Sequence, residues 1–402
     1  MSSVSIKKER LPQLDTFRAL AILGVLHVHS TSFATVESVN LKAFYLINFL
    51  NAFFRYGTPS FIMLSSFVLF YNYFSRPVNG KLVGGFYKKR MLYILLPYVL
   101  ISAVYFIYKM HVAGTLGTQE FSEMLPRYWK NLREGTAYTH LYFVYISVQF
   151  YILFPLMLIL FKSSKWIARW AIPIGLLLQW GFVFWNKYDL QYATKGSLAI
   201  TYLSYYMMGA FLAIHFDKVR SWMMNDFKDL SAKAKFWNTV LWISWFAVVV
   251  VDVWFYQEVR LHGLVANSLY YELIWNVHTL LTALVLMRVS FLLYRRAPKW
   301  IVKGLTRLGE LSFAVYLVHP LVLGYYRDTK DWFFSHVHLG SVSYFLWVYG
   351  GLLSALIVSW IVTQSILRWI PGAWVLLGNV PASLRKKKTG PAAPATATER
   401  NV

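Results

Sequence analysis

The sequence predicts an all-α, polytopic membrane protein of about ten transmembrane helices with both termini in the cytoplasm. Of its 402 residues, 57% are hydrophobic and only 14% charged, whereas a soluble domain carries roughly 25% charged residues. Mean hydropathy is +0.46, and long apolar runs recur from end to end. The basic residues also fall unevenly between alternate loops.

A membrane helix needs about 20 mostly apolar residues. The windows that meet this are 17–35, 44–74, 91–109, 141–161, 167–186, 197–216, 236–256, 266–287, 308–326 and 342–364. The second is long enough to be broken, with the kink expected at Gly57-Thr58-Pro59. With the N-terminus inside, cytoplasmic segments hold 29 of the 40 basic residues, Arg18 included, and external segments 11. This positive-inside bias accounts for a net charge of +23 without nucleic acid as a partner.

The first span is read as retained rather than cleaved. Lys7, Lys8 and Arg10 imitate a signal-peptide n-region and Ser32-Phe33-Ala34 a cleavage site. Arg18, His27 and His29 nevertheless interrupt any apolar h-region. The chain divides into a cytoplasmic segment (1–16), a transmembrane domain (17–364) and a basic cytoplasmic tail (365–402). From about Pro381 the tail turns to Lys, Pro, Ala and Thr and reads as disordered. The external stretch 110–140 is the largest loop and is expected to cover an outer opening.

There is no cysteine, which removes disulfides, thiolate metal sites and thiol nucleophiles together. The histidines are scattered, so no metal is expected. Neither GxSxG, HExxH, GxxxxGK[ST] nor HxxxxD occurs, so the soluble catalytic signatures are missing.

Ionisable residues inside spans are costly and functional by default. In the first span Arg18 and His29 are eleven residues apart. That is three turns plus about 20°, on one face, with an axial separation of about 16 Å. Asp15 lies one turn before Arg18 on the same face and can pair with it, while His27 points about 180° away. The helix therefore presents an acid–base pair at its cytoplasmic end and an imidazole deep in the membrane. The imidazole serves either as a helix–helix hydrogen bond or as a general base.

The third span opens with Lys88-Lys89-Arg90, followed by Tyr93 and Pro97. These basic residues read as interfacial anchors or as a phosphate clamp on a cytosolic co-substrate. The ninth span holds Glu310, Ser312, Tyr316 and His319, and Asp252, Glu272 and His278 are further intramembrane candidates. Together they imply a polar interior.

The same residues resemble the acyltransferase-3 family of integral-membrane O-acyltransferases, which modify bacterial cell-surface glycans. Asp15, Arg18 and His29 look like its opening motif. Pro59-Ser60-Phe61 with Ser65-Ser66-Phe67 is similar to its P-x-F…SGF, with Ser66 where Gly is usual. Lys88-Lys89-Arg90…Tyr93-Ile94…Pro97-Tyr98 resembles its basic third-span motif, with Tyr93 where a second Arg is common. His140-Leu141-Tyr142-Phe143…Gln149-Phe150-Tyr151…Pro155 and Leu311-Ser312-Phe313…Tyr316-Leu317-Val318-His319-Pro320 resemble the fourth-span and late-span patterns. The matches come in family order across roughly 13–325, closest in style to Gram-positive members tied to exopolysaccharide and intercellular-adhesion polysaccharide.

The resemblance implies a plasma-membrane enzyme that moves an acyl group, acetyl first, from cytosolic acyl-CoA to a glycan hydroxyl on the outer face. Acyl-CoA (acetyl-CoA) is a co-substrate, and no permanently bound cofactor is implied. It assigns His29 as general base, with Asp15 orienting Arg18, and Arg18, Lys89, Arg90 and Tyr93 to the CoA side. His319, Tyr316, Glu310 and Tyr142 fall to the acceptor, with Ser65, Ser66 and Tyr316 as oxyanion-donor candidates. Implied partners are the bilayer, the glycan acceptor and the polysaccharide-synthesis machinery. The rivals are a polysaccharide flippase or exporter without acyl-transfer chemistry and a proton-coupled small-molecule transporter.

Overall fold

The computed structural model describes residues 9–333 and 337–385, and the regular elements among them are helical, with no strand. The chain enters through α1 (Gln13–Thr31), α2 (Ala34–Glu37) and α3 (Phe44–Phe53), turns at Phe54–Tyr56 and continues as α4 (Gly57–Tyr73). α5 (Gly80–Arg90) runs through a π-helical stretch, Met91–Leu95, into α6 (Leu96–Val112). Next come α7 (Phe121–Glu134), α8 (Tyr142–Ser163), α9 (Lys165–Arg169) and α10 (Ala171–Trp185). Short 3-10 turns lead into α11 (Leu203–Ile214) and α12 (Phe216–Met224), then the long α13 (Ala232–His262) and α14 (Ser268–Arg296). α15 (Lys299–Asp328), α16 (Lys330–Phe333), α17 (Val342–Trp369) and α18 (Trp374–Leu377) follow.

Local chemistry starts several of these helices. Asn79, Ser164, Ser231, Asn267 and Ser341 each accept a hydrogen bond from a backbone N–H of the first turn, satisfying donors that a helix leaves orphaned. At the other pole, fully buried Arg288 of α14 donates to the Trp222 and Met223 carbonyls that end α12. A cation there satisfies last-turn carbonyls and suits the helix dipole.

Among the described residues, six helices are each long and apolar enough to cross a membrane, and a seventh counts if residues 199–224, bent by 92°, form one span. The sequence windows number ten, and each is occupied by helix. The difference lies in α1, diluted by Asp15, Arg18, His27 and His29, in the broken α3–α4 pair, and in α10, which has 15 residues. The break in that pair is also earlier than expected. It falls at Phe54–Tyr56, and Gly57, Thr58 and Pro59 already belong to α4. Pro59 sits in the first turn, where its missing N–H has no intrahelical partner to lose.

α1 is the central staff, packed against α4, α14, α15 and α17. Two glycines set the closest approaches. A Cβ at Gly309 of α15 would lie 1.8 Å from the Asp15 carbonyl oxygen, and one at Gly209 of α11 would lie 2.1 Å from the Met63 carbonyl oxygen of α4. Lipid takes the outside: Ile152, Leu156 and Ile159 of α8, and Ile243, Phe246 and Val250 of α13, are exposed at helical spacing. In the stretch 110–140, α7 exposes Phe121, Leu125 and Trp129 along one stripe.

Residues 382–384 form a 3-10 turn, and Ser383 donates to Glu310 of α15 at 2.5 Å. Residues 386–402, including Lys386, Lys387 and Lys388 of the basic run, lie outside the described residues, as do Lys7 and Lys8.

The close seam makes a sharp prediction. Gly309→Ala should destabilise the protein by about 1–3 kcal/mol through overpacking. Gly304→Ala on the same helix, with nothing within 4 Å of its Cβ position, should be neutral or gain up to about 1 kcal/mol from helix propensity. Thermal unfolding in detergent separates the two.

Candidate active site

The site is built along the α1–α15 seam, and its first part lies at the N-terminal ends of the two helices. Asp15, 5% exposed, accepts from Arg18 one turn later and from Arg10 at 3.2 Å. An acid in the first turn of a helix is favoured by the dipole. Arg10 also reaches Glu310 at 3.4 Å, and Arg307 approaches Glu310 at 3.9 Å. The hydrogen bond to the Asp15 carboxylate raises the Arg10 guanidinium above its ordinary value.

These groups ring a wide mouth of about 1640 Å³ of empty space. Its cations are Arg10, Arg18, Lys89, Arg90 and Arg385; its anions are Asp15 and Glu310. Lys89 is exposed. Arg90 lies 4.7 Å from the Tyr151 ring centroid and 5.4 Å from that of Phe86, and its Nε is buried without an acceptor. Tyr93 also lines the mouth and meets Trp374 edge-on at 5.6 Å.

From the mouth a narrower, largely apolar cavity continues inward. Arg18, Arg90, Ile94, Ser312 and Phe313 border both spaces. The inner walls are Phe143, Val144 and Tyr151 of α8, Ser65 of α4 and Tyr316 of α15.

Behind Tyr316 lies a layer of imidazoles. The rings of His29 and His319 meet edge-on at 5.1 Å between centroids, and those of His140 and His319 at 5.6 Å. Tyr316 packs on His140 at 5.2 Å and on His319 at 5.7 Å, and its hydroxyl donates to the His140 carbonyl. The His319 Nδ1 faces the Tyr316 carbonyl at 2.8 Å, which assigns it the proton, and its Nε2 has no partner. Both ring nitrogens of His140 are buried and unpartnered. His29 is half-buried, and no hydrogen bond to its ring occurs among the described residues. Arg327 at the end of α15 donates to the His29 carbonyl at 2.7 Å and lies 4.6 Å over Phe33.

The structure thus sorts the sequence candidates into two groups. Arg18, Asp15, Lys89, Arg90, Tyr93 and Glu310 gather at the mouth; His29, His319 and Tyr316 meet about two to three turns deeper. Glu310 stands nine residues before His319, about 13 Å along the axis, and is engaged by Arg10 and Ser383. Tyr142 bonds the Thr58 hydroxyl at 3.1 Å and lies off the inner cavity. His27 points away from this site and stacks on Phe54 at 4.3 Å.

Of the oxyanion candidates, Ser66 is bonded to the Tyr206 carbonyl at 2.6 Å and Tyr316 to that of His140. Ser65 faces the cavity, 3.3 Å from the Tyr151 hydroxyl. The remaining intramembrane acids are internally matched. Asp252 takes Arg55 at 2.8 Å and His278 at 2.8 Å, and Glu272 takes Lys195 at 2.5 Å. Among the described residues no group of three or more His, Asp or Glu side chains is placed to hold a metal ion.

Sequence reasoning did not single out His140 or Arg327 as site residues. His140 opens the apolar run of α8 and was legible only as part of a pattern. Arg327 sits among other charges at a helix end, and its target is a backbone carbonyl, which carries no sequence signal.

The comparisons agree with this architecture. A model described as an acyltransferase domain, acyltransferase-3, matches residues 11–364. The chain belongs to that family and is a multi-pass membrane acyltransferase, transferring groups other than aminoacyl groups. It is 20% identical over 337 residues to probable poly-beta-1,6-N-acetyl-D-glucosamine export proteins of Staphylococcus aureus strains MRSA252 and MSSA476. The match covers 79% of this chain and 83% of each relative. No solved structure matches it.

The Tyr316 hydroxyl can be tested alone. Tyr316→Phe keeps the ring but strands the His140 carbonyl, and should cost about 1–3 kcal/mol. Tyr325→Phe, at a side chain 63% exposed, should leave thermal unfolding unchanged.

Proposed function

We propose that the enzyme takes an acyl group, acetyl foremost, from cytosolic acyl-CoA at the basic mouth. It delivers that group to a hydroxyl of a cell-surface glycan or exopolysaccharide arriving from the opposite side, with His29 as general base. One arrangement carries the reading: a cationic mouth and an unbonded imidazole lie on the same helix seam, with a narrow cavity leading from the first toward the second.

The CoA phosphates are polyanionic, and Arg18, Lys89 and Arg90 supply bidentate and point-charge donors at the wide opening. The apolar inner cavity suits the pantetheine arm, and the axial distance of about 16 Å from Arg18 to His29 is of the length such an arm spans. Asp15 holds Arg18 in place, and Tyr93 lines the way in. The thioester reaches His29 only past Tyr316, so that ring must swing from the His140 carbonyl, giving up a hydrogen bond worth about 1 kcal/mol net.

An imidazole nitrogen of His29 then takes the proton of the acceptor hydroxyl as its oxygen attacks the thioester carbonyl. The carbon–sulfur bond breaks, and the proton passes to the departing CoA thiolate. Arg327, by bonding the His29 carbonyl, fixes the end of α1 and with it the imidazole; a misplacement of 1 Å can cost about 10²-fold in rate. His319 and Tyr316 border the acceptor hydroxyl. Polysaccharide-synthesis machinery supplies the acceptor.

The names of the relatives favour a second reading, in which the chain exports polysaccharide and transfers no acyl group. Cells expressing wild type, His29→Ala or Arg90→Ala at matched levels separate the two. Surface polysaccharide is compared by mass spectrometry before and after mild alkali. An alkali-labile increment should appear in wild type and fall by 10²–10⁴-fold in rate in His29→Ala, whose purified form still binds acyl-CoA. Arg90→Ala should weaken acyl-CoA binding. Polysaccharide that changes in amount but never bears an ester contradicts acyl transfer and supports export.

A further inference from the structure

A second pocket, unused by the steps above, opens at the end of the bundle away from the basic mouth. It holds about 1140 Å³ of empty space between the 135–139 loop, the 193–197 loop and the first turn of α8. Its lining offers the rings of Tyr138, Tyr142 and Tyr202, the hydroxyls of Thr136 and Ser197, and Lys109 at the rim. No carboxylate lines it.

The walls are firmly held. Gln149 clamps the second loop by donating to the Ser197 carbonyl at 2.7 Å and accepting from the Ala199 N–H at 3.0 Å. Thr201 bonds the Lys195 carbonyl at 2.8 Å, and the Lys195 ammonium is neutralised by Glu272. Tyr138 is stacked on Tyr105 at 4.5 Å. On the first loop, Gly135 adopts φ +71°, where an added Cβ would meet Tyr145 at 2.9 Å.

Its floor borders the reaction layer. Tyr138 lies 5.7 Å from the His140 ring. On α8, Tyr142 faces this pocket while its neighbours Phe143 and Val144 face the inner cavity. The first turns of α8 therefore separate the two spaces.

We propose that this pocket seats a neutral hexopyranose unit of the acceptor glycan; calling it the acceptor rests on the acyl-transfer reading. Aromatic rings offer flat apolar faces of the kind a pyranose presents through its C–H groups. The threonine and serine hydroxyls exchange hydrogen bonds with sugar hydroxyls at fixed positions. With Lys109 at the rim and no carboxylate in the lining, a cationic amino sugar is repelled, so an N-acetylated sugar is preferred over its free amine.

The test uses the full-length protein in lipid nanodiscs. The probes are a β-1,6-linked N-acetylglucosamine oligomer and the same oligomer fully de-N-acetylated, with binding read by titration calorimetry. The neutral oligomer should bind more tightly, and Lys109→Ala should narrow the difference. Ala193→Trp, on an exposed loop, should weaken the neutral oligomer about tenfold or more, equivalent to about 1.4 kcal/mol, and leave acetyl-CoA affinity unchanged. Thr139→Trp, also exposed, should act alike and guards against a local folding defect. Equal binding of both oligomers, or affinities within about twofold of wild type in both tryptophan variants, overturns the proposal.

Failure of the transfer reading looks different. Sugar binding as expected with no ester formed from acetyl-CoA removes acyl transfer and leaves the pocket. Ester formation with unchanged KM for the glycan in Ala193→Trp removes the pocket and leaves acyl transfer.

Discussion

The contact on which the rest of this molecule depends is the backbone approach of α15 to α1 at Gly309 and Asp15. A side chain at position 309 would occupy the space of the Asp15 carbonyl, so the two helices come together there at a distance only glycine permits. That approach fixes the register of everything along the seam. It brings Glu310 to Arg10 beside Asp15 at one end and His319 to His29 at the other. It also sets Ser312 and Phe313 opposite Arg18 as walls of one cavity.

The buried ion pair at the break of the second span anchors the other side of α1. Arg55 is held by Asp252 and lies 3.6 Å over the Tyr256 ring, while His278 completes the carboxylate's partners. Taking charges out of water is expensive, and breaking such a pair by removing one member costs more than the pair contributes. Here it fastens the 54–56 turn to α13 and α14. Phe54 then stacks on His27, and Tyr56 packs on Gly24 and bonds the Leu20 carbonyl. The face of α1 that carries His29 is thus turned toward α15 because the face that carries His27 is occupied.

Much of this was legible in residue spacing. The eleven-residue interval places Arg18 and His29 on one face, and Asp15 pairs with Arg18 as its position one turn earlier implies. The composition and windows gave an all-helical membrane protein, and each window is helical. Periodicity could not show which distant groups meet. Asp252 stands out as an intramembrane ionisable residue, yet its pairing with Arg55 spans 197 positions of sequence. Nor could it tell that Tyr316 lines the inner cavity, that Arg327 donates to a backbone carbonyl, or that Ser383 bonds Glu310. Those are outcomes of packing. The break falls about a turn before Gly57-Thr58-Pro59 because Pro59 stands in the first turn of α4, where a proline does not interrupt a helix.

Two openings at opposite ends and an imidazole layer between them, bordered by Tyr316 on one side and Tyr138 on the other, give the account its central claim: donor and acceptor meet from opposite sides. Sealed proteoliposomes test this most directly, with protein oriented so that the Arg18 end faces one compartment. Radiolabelled acetyl-CoA is confined to that compartment and a glycan acceptor to the other. The account predicts labelled ester on the acceptor across an intact bilayer. Ester formed only when both substrates share one compartment would contradict it.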